Sequence, residues 1–509
     1  MAQKNSSAQR SMYPTQIFLP LLQTLNENGG SPKQSKSMIP KVQTRPTFAQ
    51  NAGDLLRLAG PLMLGQLAVV GMTVTDIYMA GQVSADTLAA LQLGGSIWAM
   101  INLLVIGIMI GNSPIIGNFW GAGQPEKVRF QFQQGLWLAV PMSIAVCGGI
   151  MLGILLLGSL DISAEVYRIA RGYLLPYLIT GSMFPAFFAF RSTFEGVGDI
   201  RPVMIFNLMA FVLNAILDYI LVFGKFGFPA LGGIGAAWAT TLVMTFLLIA
   251  MAAYGRYASN MKRLHLYQEF SGPSATAIAG ILRLGIPIAL MIAAEVGFFA
   301  IIPMLIAHLG ANVLGAHAIT NNIDSLAYMI PLGLGQALTI KVSHAIGRGD
   351  PMGARQICLT GFKLVFLLAM ALGSMKILLR HDLAEMFSPD ANVQVIAASL
   401  FFFSAALGCF DSMQMACSGA LRGYKDARVP LIIQIIAFWV VAFPIAYSLA
   451  LTDIWGEPMG VFGFWVGLVI AACLASIMML YRWNLVSSRA IHRPQQPSSP
   501  GTEPPIGQE

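Results

Sequence analysis

Apolar residues run through this chain in long blocks rather than in the alternation of a water-soluble fold. Blocks long enough to cross a bilayer, at least about 17 residues, fall near 54–80, 90–118, 131–158, 165–190, 201–223, 232–254, 277–307, 314–340, 360–379, 394–420, 429–451 and 459–481. The pattern predicts an all-α polytopic membrane protein with twelve transmembrane helices. Several blocks exceed the hydrocarbon thickness, so some helices should tilt or project beyond it. Polar residues crowd the ends. Residues 1–50 and 489–509 read as disordered cytoplasmic tails, leaving 51–265 and 266–488 as two lobes. The single apolar patch of the first tail, Ile17 to Leu25, is broken by Pro20 and too short for a signal-peptide core. Met38 offers an alternative start.

Composition agrees. The chain is 56% hydrophobic and 10% charged, against about 25% charged in a soluble protein, and its mean hydropathy is +0.68. The net charge of +7 does not imply nucleic acid, because the basic residues sit in short turns between apolar blocks. With the N-terminus inside, only Arg168, Arg171, Lys225, Lys376 and Arg380 of the 30 Lys and Arg lie outside. The positive-inside rule therefore puts both termini in the cytoplasm of a cell (inner) membrane protein. Cys147, Cys358, Cys409, Cys417 and Cys473 all lie in apolar stretches without CxxC or Cys/His spacing, so they read as packing residues.

The blocks repeat. LLRLAGPLML (55–64) lies on ILRLGIPIAL (281–290) at an offset of 226 residues, and the register runs ungapped through Gly107/Gly333, Gly121/Gly347, Gly123/Gly349 and Pro125/Pro351. EGVGDIR (195–201) echoes RGYKDAR (422–428) at an offset of 227. Six helices were duplicated. Six is even, so the two pseudo-symmetric six-helix lobes should be related by an axis along the membrane normal, with a transport cavity between them. Pro61 and Pro287 occupy equivalent places in the first helix of each lobe, where proline frees a carbonyl and bends the helix. They are the candidate hinges.

Five carboxylates lie inside the blocks: Asp76, Asp218, Glu295, Asp324 and Asp411. Each costs roughly 2.5–3.5 kcal/mol if ionised at the bilayer centre. No Lys or Arg is expected at mid-membrane to pair with them. They should therefore carry a proton, meet water or bind an external cation, as a proton- or sodium-coupled transporter requires. Asn214 and Asp218, at i and i+4, share a helix face and could bind a proton or offer oxygens to sodium. Asp199 and Asp426 sit in basic turns and read as structural. The lobes differ in charge: Asp76 aligns with Ile302 and Glu295 with Val69.

Several stretches together resemble the multidrug and toxic compound extrusion (MATE) family, NorM-type branch: TDIYMAGQVSADTLAALQLGGSIW (75–98), GNFWGAG (117–123), FEGVGDIRPVM (194–204), LVFGKFGFPALGGIGAAWAT (221–240), EVGFFAIIPMLIAHLGANVLGAHAITNNI (295–323) and DSMQMACSGALRGYKD (411–426). The resemblance covers about residues 54–485. It implies a cation-coupled antiporter, driven by H+ or Na+ with no cofactor, that exports organic, often cationic, drugs and toxic compounds. It matches Asp76, Glu295 and Asp411 to family acids that serve coupling cations and substrate, with Na+ possible at Glu295 and Asp411. Asn214, Asp218 and Thr240 match polar residues of the fifth and sixth helices. The sequence departs from the family at Ala318, where a glutamine is common, at Asp324, where small polar residues are usual, and at Asp218, where many NorM-type proteins carry Asn. These departures leave the ion open, and Asp324 could widen cation binding or line water.

A lipid or lipid-linked oligosaccharide flippase of the same superfamily would want a cationic central cavity, and the expected lack of mid-membrane Lys and Arg argues against it. A membrane enzyme is disfavoured by six scattered histidines without HxxxH or HExxH. A channel is disfavoured by the lack of filter-like repeated loops. The expected partners are small organic cations or drugs and membrane lipid, not nucleic acid, with the chain acting as a monomer.

Overall fold

The computed structural model describes residues 47–492. Twelve helices are long and apolar enough to cross a membrane: α1 Phe48–Gly81, α2 Ala85–Gly121, α3 Pro125–Leu157, α4 Ala164–Val197, α5 Arg201–Phe223, α6 Gly233–Tyr257, α7 Ala275–Leu309, α8 Ala311–Gly347, α9 Pro351–Leu378, α10 Ala391–Gly423, α11 Arg428–Leu451 and α12 Val461–His492. Among the described residues there is no strand. At 1.5 Å per residue, the 37 residues of α2 and of α8 span well over the roughly 30 Å hydrocarbon core, so both helices project as expected. Helix starts carry their signals: Thr47 and Gln50 form a capping box, and Ser84, Ser163, Ser274 and Asp390 each accept a backbone N–H. The helices take in residues 48–50 of the tail expected over 1–50, and 489–492 of that expected over 489–509. The rest of both tails, with Met38 and the Ile17–Leu25 patch, lies outside the described residues.

The repeat is written into the contacts. In α10, Gly423 leaves room for Val342 and the Thr339 carbonyl; its mate in α4, Gly196, leaves room for Ile116 and the Ser113 carbonyl, their mates. Leu231 and Gly232 donate to the carbonyls of Leu221 and Val222, and Met459 and Gly460 donate likewise to those of Leu449 and Ala450. Asp199 accepts from Tyr254 at 2.8 Å, and its mate Asp426 accepts from Arg482 at 2.7 Å. The offset grows from 226 to 227 to 228 along each half. One extra residue lies between the starts of α9 and α10 and the other inside α11, which has 24 residues against the 23 of its mate α5, so the sequence match fades while the structural one does not.

Each lobe has its own core, and the two exchange one element. Leu55, Ala59 and Leu62 of α1 belong to the core of the second lobe, and Ile281 of α7, the mate of Leu55, belongs to that of the first. The lobes meet near the face of the bundle where the described chain begins and ends, here the termini face. Gly121 of α2 lies on the backbone of His344 in α8, and Gly347 of α8 lies on the backbone of Asn118 in α2; Asn118 and His344 are themselves mates. Gly117 faces Ser343, its own mate, so the pseudo-two-fold axis passes between them. His344 Nε2 also bonds the Gly196 carbonyl at 2.7 Å, and Lys341 pairs with Asp54 at 3.2 Å across the lobes.

The segment joining the lobes is strapped to the first. Gln133 of α3 donates to the carbonyls of Leu266 and Gln268 and accepts from the Ser271 backbone, Gln134 accepts from the Ser274 backbone, and Trp137 donates to the Ser271 carbonyl. Residues 266–271 are therefore bonded to α3 of the first lobe. Buried side-chain amides supply the partners that an irregular backbone would otherwise lack.

Candidate functional site

Two polar clusters lie in the apolar interior, one per lobe. In the first, Asn214 Nδ2 donates to Asp76 Oδ1 at 3.1 Å, and Thr240 Oγ1 reaches Asp76 Oδ2 at 3.4 Å. α1, α5 and α6 converge on this carboxylate. Asp218, one turn from Asn214, is 0% exposed, and no donor among the described residues reaches either of its oxygens. Its carboxyl lies close enough to that of Asp76 for one proton to bridge them. All four residues singled out in this lobe are thus brought together. Sequence reasoning missed Tyr173 and Tyr177 beside them, whose hydroxyls pair at 2.9 Å. Their i, i+4 spacing was the only signal.

The second cluster lines a cavity of about 330 Å³ with Glu295 of α7, Asp324 and Tyr328 of α8, Lys376 of α9 and Asp411 of α10. Gln414 and Gln434 both donate to Glu295 Oε2, at 3.3 and 3.1 Å. Gln434 precedes a π-helical stretch of α11, Ile436–Ala442, and within that stretch Trp439 donates to the Ala294 carbonyl at 2.9 Å. The wider turn brings α11 against α7 beside Glu295, a use typical of π-bulges at functional sites. Among the described residues, no partner reaches the buried amide oxygens of Gln414 and Gln434, whose amide nitrogens bond the Glu295 carboxylate. A set of hard oxygens suits a proton or an alkali cation. Among the described residues no three His, Cys, Asp or Glu side chains converge to hold a metal.

One expectation is overturned. Lys376, assigned to an outer loop, is only 5% exposed. Its ammonium donates to Asp324 Oδ1 at 2.7 Å and to Ser404 Oγ at 2.9 Å. The interior does hold a cation, because Lys376 sits two residues from the C-terminal end of α9 and its long stem carries the charge inward. Asp324 lines the same cavity as Glu295 and Asp411, but its carboxylate is already bonded to lysine rather than left to water. Arg422, one residue from the end of α10, is buried as well.

Pro61 and Pro287 sit where the lobes cross. Around Pro287, Gly285 lies on Ile108 of α2 and Ala289 on Gly107. Around Pro61, Ala59 and Met63 lie on Gly333 of α8, the mate of Gly107. Both prolines therefore fall at equivalent inter-lobe contacts.

The MatE family model matches the chain twice, over residues 61–220 and 287–448. Each match begins at one of the paired prolines. The chain belongs to the MATE family. Within it, the chain is similar to multidrug resistance protein PmpM of Pseudomonas aeruginosa, 36% identical over 443 residues that cover 86% of this chain and 92% of that protein. It is 32% identical to multidrug resistance protein NorM of Aliivibrio fischeri, covering 84% of this chain and 93% of that one. The fold matches a solved outward-facing multidrug resistance MATE transporter with a TM-score of 0.77 at 21% identity, over 88% of this chain and 97% of that one. As a NorM-type MATE protein this chain is a membrane transporter and not an enzyme.

Proposed function

We propose that this chain is a cation-coupled antiporter that exports organic, often cationic, drugs and toxic compounds by rocking its two lobes about the pseudo-two-fold axis. The observation that carries the reading is the pair of separate carboxylate clusters, one in each lobe, held in a bundle whose lobes meet at the termini face. Two multidrug resistance proteins among its relatives support the substrate class.

The chain sits in the cell (inner) membrane with both termini cytoplasmic, as the basic residues of the turns favour. The termini face is then the cytoplasmic one, and the lobes described here are closed to the cytoplasm. In this state Asp76 with Asp218, and Glu295 with Asp411, accept protons or sodium from outside, and the substrate leaves. The lobes then rock, the termini face opens, the cations depart inward and substrate enters. The cation drives export only by favouring one conformer. The chain works as a monomer in lipid and needs no cofactor.

A flippase of the same superfamily would want free positive charge for phosphate head groups. Lys376 is spoken for by Asp324, so the second-lobe cavity keeps a surplus of acid. The test is efflux of a cationic dye from proteoliposomes under separately imposed proton and sodium gradients. Efflux that follows one gradient supports antiport and names the ion; efflux that follows neither overturns the reading.

A further inference from the structure

Lys376 has a role to explain. An ammonium taken out of water is costly, and pairing it with a carboxylate commonly offsets no more than that cost. The Asp324–Lys376 pair is therefore a poor device for stability alone, and it stands on the wall of the cavity that holds Glu295 and Asp411.

The surroundings of the ammonium are asymmetric. On one side it is bonded to Asp324 and Ser404. On the other it lies over Gly408, where an added Cβ would stand 3.4 Å from Nζ. Ser404, Gly408 and Asp411 share one face of α10 at i, i+4 and i+7. The bare backbone of Gly408 thus separates the carboxylate that holds the lysine from the carboxylate one turn on. The lysine stem has four rotatable carbons and a compact charge. The ionisable groups around it are Asp324 and Tyr328 on α8, Cys409 and Asp411 on α10 and Glu295 on α7, with Arg422 toward the termini face.

From this placement we infer that Lys376 is a tethered competitor of the transported cation, swinging across Gly408 from Asp324 to Asp411 when the external cation leaves. The contact of the ammonium with Asp324 is assigned to the state with a cation on Asp411. Without that cation, the ammonium pairs with Asp411 itself and leaves Asp324 unpaired in its place, so the ammonium and the external cation compete for one carboxylate. The lysine then sets how tightly this lobe holds its cation. The inference rests on the cation-coupled reading.

The experiment is ethidium efflux by the full chain in proteoliposomes, titrated in turn with sodium and with protons. A static pair is neutral overall, and its removal leaves the cation midpoint nearly where it was. A mobile competitor predicts otherwise. Removing both partners (Asp324→Asn with Lys376→Met) lowers the cation concentration for half-maximal efflux about tenfold, the scale of one charge lost beside a binding carboxylate. Gly408→Ala keeps every charge and places a methyl on the path; it should move the cation midpoint the same way, and it decides the matter if the double variant fails to fold. Ion-driven efflux with unshifted midpoints overturns this inference alone. A wild-type chain without ion-driven efflux overturns the antiport reading and this inference with it.

Discussion

The contact of Gly347 with α2 makes a quantitative prediction about alternating access. A Cβ at this position would strike the Asn118 carbonyl oxygen and lie 2.9 Å from the Asn118 carbonyl carbon and 3.1 Å from the Ala122 nitrogen. All three are backbone atoms, two in α2 and one in the turn that follows it, so no side chain can turn away to make room. Overpacking of this kind costs about 1–3 kcal/mol. In the rocking cycle proposed above, only the state with the lobes closed at the termini face makes the contact, so Gly347→Ala loads the whole cost onto that state. A bias of about 1–3 kcal/mol shifts a two-state equilibrium about 5- to 150-fold, here toward the state open at the termini face. The readout is the labelling rate, by a maleimide, of a cysteine placed at Ser343, next to Gly117 on the axis, with the five native cysteines replaced. Gly148→Ala is the control, because nothing lies within 4 Å of a Cβ at Gly148. Labelling that rises at least about fivefold in Gly347→Ala and stays level in the control is the expected outcome. Equal labelling in a folded Gly347→Ala protein would refute the claim that this glycine contact belongs to the closed state.

Asp76→Asn, Glu295→Gln and Asp411→Asn should each abolish drug resistance in cells while leaving the amount of protein in the membrane unchanged; wild-type dye export by all three would sink the assignment of these acids. Lys376→Met alone should lower thermal stability in detergent by about 3–5 kcal/mol, because it strands Asp324 in the interior, and adding Asp324→Asn should recover most of that loss. Gln434→Leu removes a donor to Glu295 and should destabilise the second lobe by about 1–3 kcal/mol, read from the same melting curves. Tyr267, in the strap between the lobes, donates to the Ala252 carbonyl at 2.6 Å, and burial pushes its phenol up to about 12. Its folded value lies above the ordinary one near 10, so its contribution is intact below pH 10 and is lost as pH rises toward 12; in Tyr267→Phe that alkaline step should shrink.

Much of this architecture is legible in the sequence, because membrane helices advertise themselves by length and the duplication leaves matched glycines and prolines. The acids were legible for the same reason: a carboxylate in an apolar block stands out. Partners that carry no formal charge, or that reach in from a block's end, do not. Gln414 and Gln434 look like ordinary polar positions until α10 and α11 bring both onto Glu295. Lys376 reads as a boundary residue on a count of positions, and only the direction of its side chain places the charge inside. The one available hint was Asp324 itself, an extra acid that needed a counter-charge.

The contact between Gly117 and Ser343 has a consequence for how such a molecule came to be. A position that touches its own counterpart is what an isologous interface produces, so two separate copies of one six-helix unit could have met through this same surface. In such a dimer any carboxylate gained by one copy appears in the other. Joining the copies in one chain removed that constraint, and Asp76 now has Ile302 as its mate. The interface kept the ancestral self-complementarity, and the interior used the freedom to become two different chambers.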